Sequence, residues 1–125
     1  MTERAESQRL GVAVFQLLAD VVHELLRAGV SVIAEGNFVA GTALFRDLPD
    51  ASIVQVHVSA SPEVIAERLR GRDSHRHPVH YDAEAADEIA ARVAAGAWEA
   101  LPLAGRLVTV DTTVWPDLDE VCALV

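Results

Sequence analysis

From residue 7 to residue 27 the apolar positions Leu10, Val14, Leu17, Leu18, Val21, Leu25 and Leu26 recur at three- and four-residue intervals. That period marks an amphipathic helix packed by one stripe, with Gly29 as its stop. Residues 30–34 follow as a short, almost wholly apolar and β-branched run, the pattern of a strand covered on both faces of a parallel sheet. It ends in Glu35-Gly36-Asn37. A weakly helical stretch, 38–48, closes at Pro49-Asp50, and residues 53–58 form the next strand, with Gln55 and His57 alternating against Ile53, Val54, Val56 and Val58.

Ser61-Pro62 is a helix start: a side-chain acceptor at the cap, then a proline already set for the first turn. That helix is expected to reach Arg70 and break at Gly71. Residues 72–82 show no periodicity and carry Pro78 among polar side chains, so they read as an exposed loop. An alanine-rich helix is expected over 83–100, a third short strand over 107–110, and a last helix opening at Pro116 with Leu118, Val121 and Leu124. Helices alternating with strands over short connections imply right-handed crossovers and a parallel sheet. Ligands of such sheets bind beyond the carboxyl ends of the strands. Here those ends are Glu35-Gly36-Asn37, Ser59-Ala60-Ser61 and Asp111-Thr112-Thr113.

Composition narrows the function classes. The 125 residues suit one domain, 51% of them are hydrophobic, and the formal charge is −9. A net-negative surface repels phosphate backbones, so neither nucleic acid nor an anionic membrane is the expected partner. All ten basic residues are arginines, and they concentrate between Arg68 and Arg76. The single cysteine, Cys122, leaves no internal disulfide or cysteine-based zinc site and reads as a small core residue. No run is long enough to span a bilayer, and residues 1–6 lack a signal peptide's basic-then-apolar order, so the expected location is cytoplasmic.

Four groups can carry chemistry. Glu35, at a strand end beside Gly36, can hold a metal-bound water or accept a hydroxyl proton; it can equally be a hydrogen-bonded strand-end carboxylate. Arg68 and Arg72 lie four apart on one helix face, with Arg76 in the following loop, and their guanidinium groups can clamp phosphate oxygens. The plainer reading is that cations favour a helix C-terminus. His75, His77 and His80, near Asp73 and Asp82, have the donors for a transition metal, but the interleaved Arg76 opposes a cation and favours substrate or phosphate contact. Asp111, Thr112 and Thr113 can line a nucleotide base or form an ordinary Asx or Thr turn.

In their order and spacing these segments resemble the second half of P-loop kinases of the small-molecule and zeta-toxin-like kind, which share the adenylate-kinase arrangement. The resemblance rests on residues 29–38, on 56–63, on Arg68-Leu69-Arg70-Gly71-Arg72 with Arg76-His77-Pro78, and on Val110-Asp111-Thr112-Thr113. It implies a parallel three-layer α/β sandwich and transfer of the ATP γ-phosphate to a small-molecule hydroxyl with Mg2+. Glu35 would then be the catalytic carboxylate. Arg68, Arg72 and Arg76 would bind phosphates, Asn37, Phe38, His77 and His80 would border the acceptor, and Asp111, Thr112 and Thr113 would lie by the adenine. Residues 71–82 would be the lid.

The family's G-x-x-x-x-G-K-[ST] is absent, and a chain without lysine holds no variant that keeps it. The resemblance therefore implies an incomplete fold lacking its first strand, phosphate loop and first helix. ATP and Mg2+ would belong to an intact parent and neither to this chain alone. In the family the first strand sits between the strands matching 30–34 and 53–58. Its absence leaves apolar edges for direct pairing, a homo-oligomer or a partner chain to cover. The alternative is a non-catalytic protein-interaction module derived from such a kinase.

Overall fold

The computed structural model describes residues 3–39, 44–72 and 82–125. It is a mixed α/β chain with a small parallel sheet: α1 (Glu3–Arg27), β1 (Val54–Ser59), α2 (Pro62–Arg72), α3 (Asp82–Ala94), β2 (Arg106–Asp111) and α4 (Leu118–Ala123). The two strands pair in parallel, Val54 opposite Arg106 through Ser59 opposite Asp111. The connection between them contains α2 and α3, the crossover a parallel pair requires.

Local chemistry explains most boundaries. α1 closes at Gly29, whose φ is 75°, with Val30 N–H donating to Leu25 O and Gly29 N–H to Leu26 O. Only a residue tolerant of the left-handed region closes a helix this way. Gly96, at φ 82°, ends α3 by the same bonds, from Ala97 to Arg92 and from Gly96 to Val93. The helix expected over 83–100 therefore stops at Ala94, because the glycine within that window is a terminator. Ser61 caps α2 through Oγ, which accepts from Val64 N–H at 3.4 Å, and Pro62 takes the first helical position. The expected break at Gly71 does not occur; α2 runs through it to Arg72.

Three further expectations need correction. Residues 30–34 belong to no strand, and Ile33 is 98% exposed. A β-branched run becomes a strand only where a ladder partner satisfies its backbone, and β1 pairs only with β2 among the described residues. Of the expected helix over 38–48, residues 40–43 lie outside the described set; 44–47 form a turn with Phe45 and Asp47 at positive φ, 59° and 54°. Cys122, expected in the core, is exposed, since the six-residue α4 buries no side chain.

The core is divided. Ala19 and Val22 of α1 pack with Phe45 and Leu101, supported by Leu18, Leu26, Val32 and Phe38. Phe38 meets Phe15 and Phe45 edge-on, with ring centroids 5.5 and 5.0 Å apart. A second cluster joins α2 to α3 through Ala66, Leu69 and Ala86, the two alanines letting the helices approach, with an exposed Arg70–Asp87 ion pair at the rim. On the sheet, Val108 and Val110 of β2 are buried, while their register partners Val56 and Val58 on β1 are exposed. The cover over β2 does not extend across β1. Its other face is met by residues 98–101: Gln55 exchanges hydrogen bonds with the Leu101 backbone at 2.7 and 3.0 Å, and His57 Nε2–H donates to Trp98 O at 2.9 Å.

Candidate functional site

The parallel register brings Ser59 and Asp111 side by side at the carboxyl ends of the strands, and the chain following each strand folds across the other. Thr112 continues past β2 and returns two bonds to Ser59 O, from its N–H at 2.7 Å and its Oγ1–H at 2.9 Å. Thr113 Oγ1 accepts from Ser61 N–H at 2.8 Å, which ties the β2 end to the cap of α2. The α2 helix then delivers Arg68 back over this junction. Its Nη1–H donates to Thr112 Oγ1 at 3.0 Å, its Nη2–H to Thr112 O, and its guanidinium lies 5.8 Å from the ring centroid of Trp115.

Asp111, at the same end, accepts the Thr113 N–H at 2.8 Å, an Asx turn. This backbone bond, then a side-chain bond from the same threonine, holds the Asp111 carboxyl below its ordinary value, since both favour the ionised form. The residues expected near the adenine thus meet as one hydrogen-bonded group. Thr112 is buried within it, Asp111 exposed, and Trp115 presents a ring that is 70% exposed. The turn reading of Asp111-Thr112-Thr113 is realised in these bonds. Arg68 directs donors at a carbonyl and a hydroxyl of its own chain, as a tie between α2 and β2.

The other expected site residues are dispersed. Glu35 and Asn37 are exposed in the segment after α1, and Phe38 packs into the aromatic cluster with Phe15 and Phe45. Among the described residues no hydrogen bond or ion pair links Glu35 to the Arg68–Thr112 group. Arg72 is the exposed last residue of α2. Arg76, His77 and His80, with the remainder of the expected lid over 73–81, lie outside the described residues. Among those described, no three His, Cys, Asp or Glu side chains gather in a metal-binding group, and no helix is long and apolar enough to cross a membrane.

Trp115 is the residue of this junction that pattern reading passed over. Its signal was its place four residues beyond Asp111, where a large aromatic outside any apolar period has no core to enter. A shallow cleft of about 560 Å³ lies at the opposite, amino end of the strands, between residues 48–54 and 104–106, and contains none of the expected site residues. No protein-family model matches this sequence, and comparisons with curated proteins and with solved structures find no similar one.

Proposed function

We propose that this chain is the lid-side portion of a P-loop-kinase-like domain of the three-layer α/β type, which handles ATP only when a strand–loop–helix element completes it. The observation that carries the reading is the free outer edge of β1. β1 pairs only with β2 among the described residues, the side chains of Val54, Val56 and Val58 stand exposed on one of its faces, and the β-branched run 30–34 belongs to no strand. A missing central strand between 30–34 and β1 would pair the edge and the run, and the helix of the same element would cover the open face. The direct pairing of β1 with β2 and the gathering of Arg68 with Asp111, Thr112 and Thr113 at the carboxyl end agree with it.

In the completed domain Glu35 would act on the acceptor hydroxyl of a small molecule, with Asn37, Phe38, His77 and His80 around that acceptor. Arg68, Arg72 and Arg76 would face the phosphates of ATP with Mg2+, and Asp111, Thr112 and Thr113 the adenine. Backbone amides around the β-phosphate, the lysine and the Mg2+-bearing hydroxyl would come from the added element. Calorimetry tests this. The chain alone is expected to show no micromolar binding of ATP–Mg2+, and a version extended at its N-terminus by a strand, a G-x-x-x-x-G-K-[ST] loop and a helix is expected to bind. Micromolar binding by the chain alone overturns the claim about the loop; absence of binding by the extended version overturns the kinase reading.

A second reading, a non-catalytic interaction module, is favoured by one specific observation: Arg68 spends donors on Thr112. On this reading Glu35→Gln and Arg72→Ala leave every nucleotide-binding measurement on the extended version unchanged.

A further inference from the structure

α1 carries two apolar faces, and the described fold uses one of them. Phe15, Leu18, Ala19, Val22 and Leu26 turn toward the core. On the adjoining side Leu10, Val14, Leu17 and Val21 recur at intervals of four, three and four, with Leu25 just beyond, and all five are exposed. Leu10 and Leu17 keep 65% and 63% of their surface open. Large apolar side chains aligned along one face of a long helix are the feature of this molecule that solvation explains least.

We propose that this face is a homodimer interface in which α1 packs antiparallel against α1 of a second copy. Three observations select that occupant. First, the alternation of four- and three-residue intervals, carried on to Glu24, averages the 3.5-residue repeat of a two-helix seam, with leucine at one seam position and valine at the other, so that antiparallel pairing sets leucine against valine in each layer. A second copy presents the same repeat, so the contact closes on itself about a twofold axis.

Second, the area suffices. Pairing the five half-open side chains and their flanks removes on the order of 1,000 Å² over the two copies, the lower limit for a specific interface.

Third, Glu24 decides the orientation. It occupies the seam position that follows Val21. Parallel pairing would set Glu24 against Glu24 of the second copy, two like charges in an apolar seam. Antiparallel pairing sets Leu10 opposite Val21 and Val14 opposite Leu17, and brings Glu24, ion-paired with Arg27 of its own helix, opposite Ser7. It also opposes the helix dipoles. The inference stands apart from the kinase reading, because it uses no residue of the nucleotide site.

The test is analytical ultracentrifugation of the full chain between roughly 1 and 500 μM, a range that reads weak and moderate association alike. A monomer–dimer equilibrium is expected. Leu17→Glu should raise the dissociation constant at least tenfold, and the uncharged Leu17→Ala severalfold. Val12→Glu, on the side of α1 away from the seam and 73% exposed, should leave it unchanged. Circular dichroism establishes that each variant is folded, and Leu17→Ala decides the matter should Leu17→Glu unfold.

Orientation is read by cross-linking in a Cys122→Ser background. Leu10→Cys mixed with Val21→Cys should oxidise to a covalent dimer, and Leu10→Cys alone should not. A chain monomeric at every concentration, or a dimer indifferent to both Leu17 variants, overturns the interface. Cross-linking of Leu10→Cys with itself overturns the antiparallel arrangement.

Discussion

Thr112→Val asks whether the junction at the carboxyl end of the sheet is a structural tie. Valine keeps the β-branched shape at this buried position and replaces the hydroxyl with a methyl, so the change is chiefly one of hydrogen bonding. Two hydrogen bonds are lost: Oγ1–H to Ser59 O at 2.9 Å and Arg68 Nη1–H to Oγ1 at 3.0 Å. Ser59 O keeps the Thr112 N–H, and Arg68 keeps Thr112 O, so no buried group is left wholly without a partner. At about 0.5–1.5 kcal/mol per bond, and toward the lower end because Arg68 is exposed, the expected destabilisation is about 1–2 kcal/mol.

Urea denaturation of wild type, Thr112→Val, Arg68→Met and the double variant measures this as a thermodynamic cycle. The Arg68–Thr112 coupling is expected at about 0.5–1 kcal/mol, since only one of the two contacts between them involves the hydroxyl. A Thr112→Val variant as stable as wild type, with additive single changes, would refute the reasoning.

Gly105→Ala should destabilise by about 2–4 kcal/mol: its φ is 125°, and an added Cβ would meet Ile53 O at 2.4 Å, which threatens the Arg106 N–H to Ile53 O bond that opens the sheet. Gly71→Ala, in α2 with open space around it, should instead gain up to about 1 kcal/mol, and thermal unfolding of the pair compares them directly. Asp111 supplies a pH dependence. Its folded pKa lies below 3.8, so its contribution is fully present above that value and is lost as pH falls through the lower folded one. Asp111→Asn should flatten the acid limb of the stability profile below about pH 4, and an unchanged limb would count against the Asx turn.

Some of this protein is decided within a few residues of chain. Gly29 and Ser61-Pro62 place one helix end and one helix start because caps depend on backbone freedom and one nearby acceptor, which neighbours in sequence supply. The alternation of Gln55 and His57 against valines marked β1, and the two polar side chains now hold residues 98–101. Gly96 was equally legible, but the alanines around it extend a helical pattern that its left-handed φ ends.

Other features depend on which segments meet. Residues 30–34 have the composition of a strand, but a ladder is a property of two chains side by side, and neither the run nor its neighbours specify the second. The spacing of Arg68 and Arg72 described a helix face; that Arg68 turns to Thr112, 44 residues away, follows from the parallel pairing that carries the end of β2 beneath α2. The period of α1 was likewise plain in the sequence, but not how its apolar arc divides. The period alone makes α1 amphipathic; that Ala19 and Val22 enter the core while Leu10 and Leu17 stay at the surface follows from the elements that the rest of the chain brings against the helix, since burial needs a partner surface.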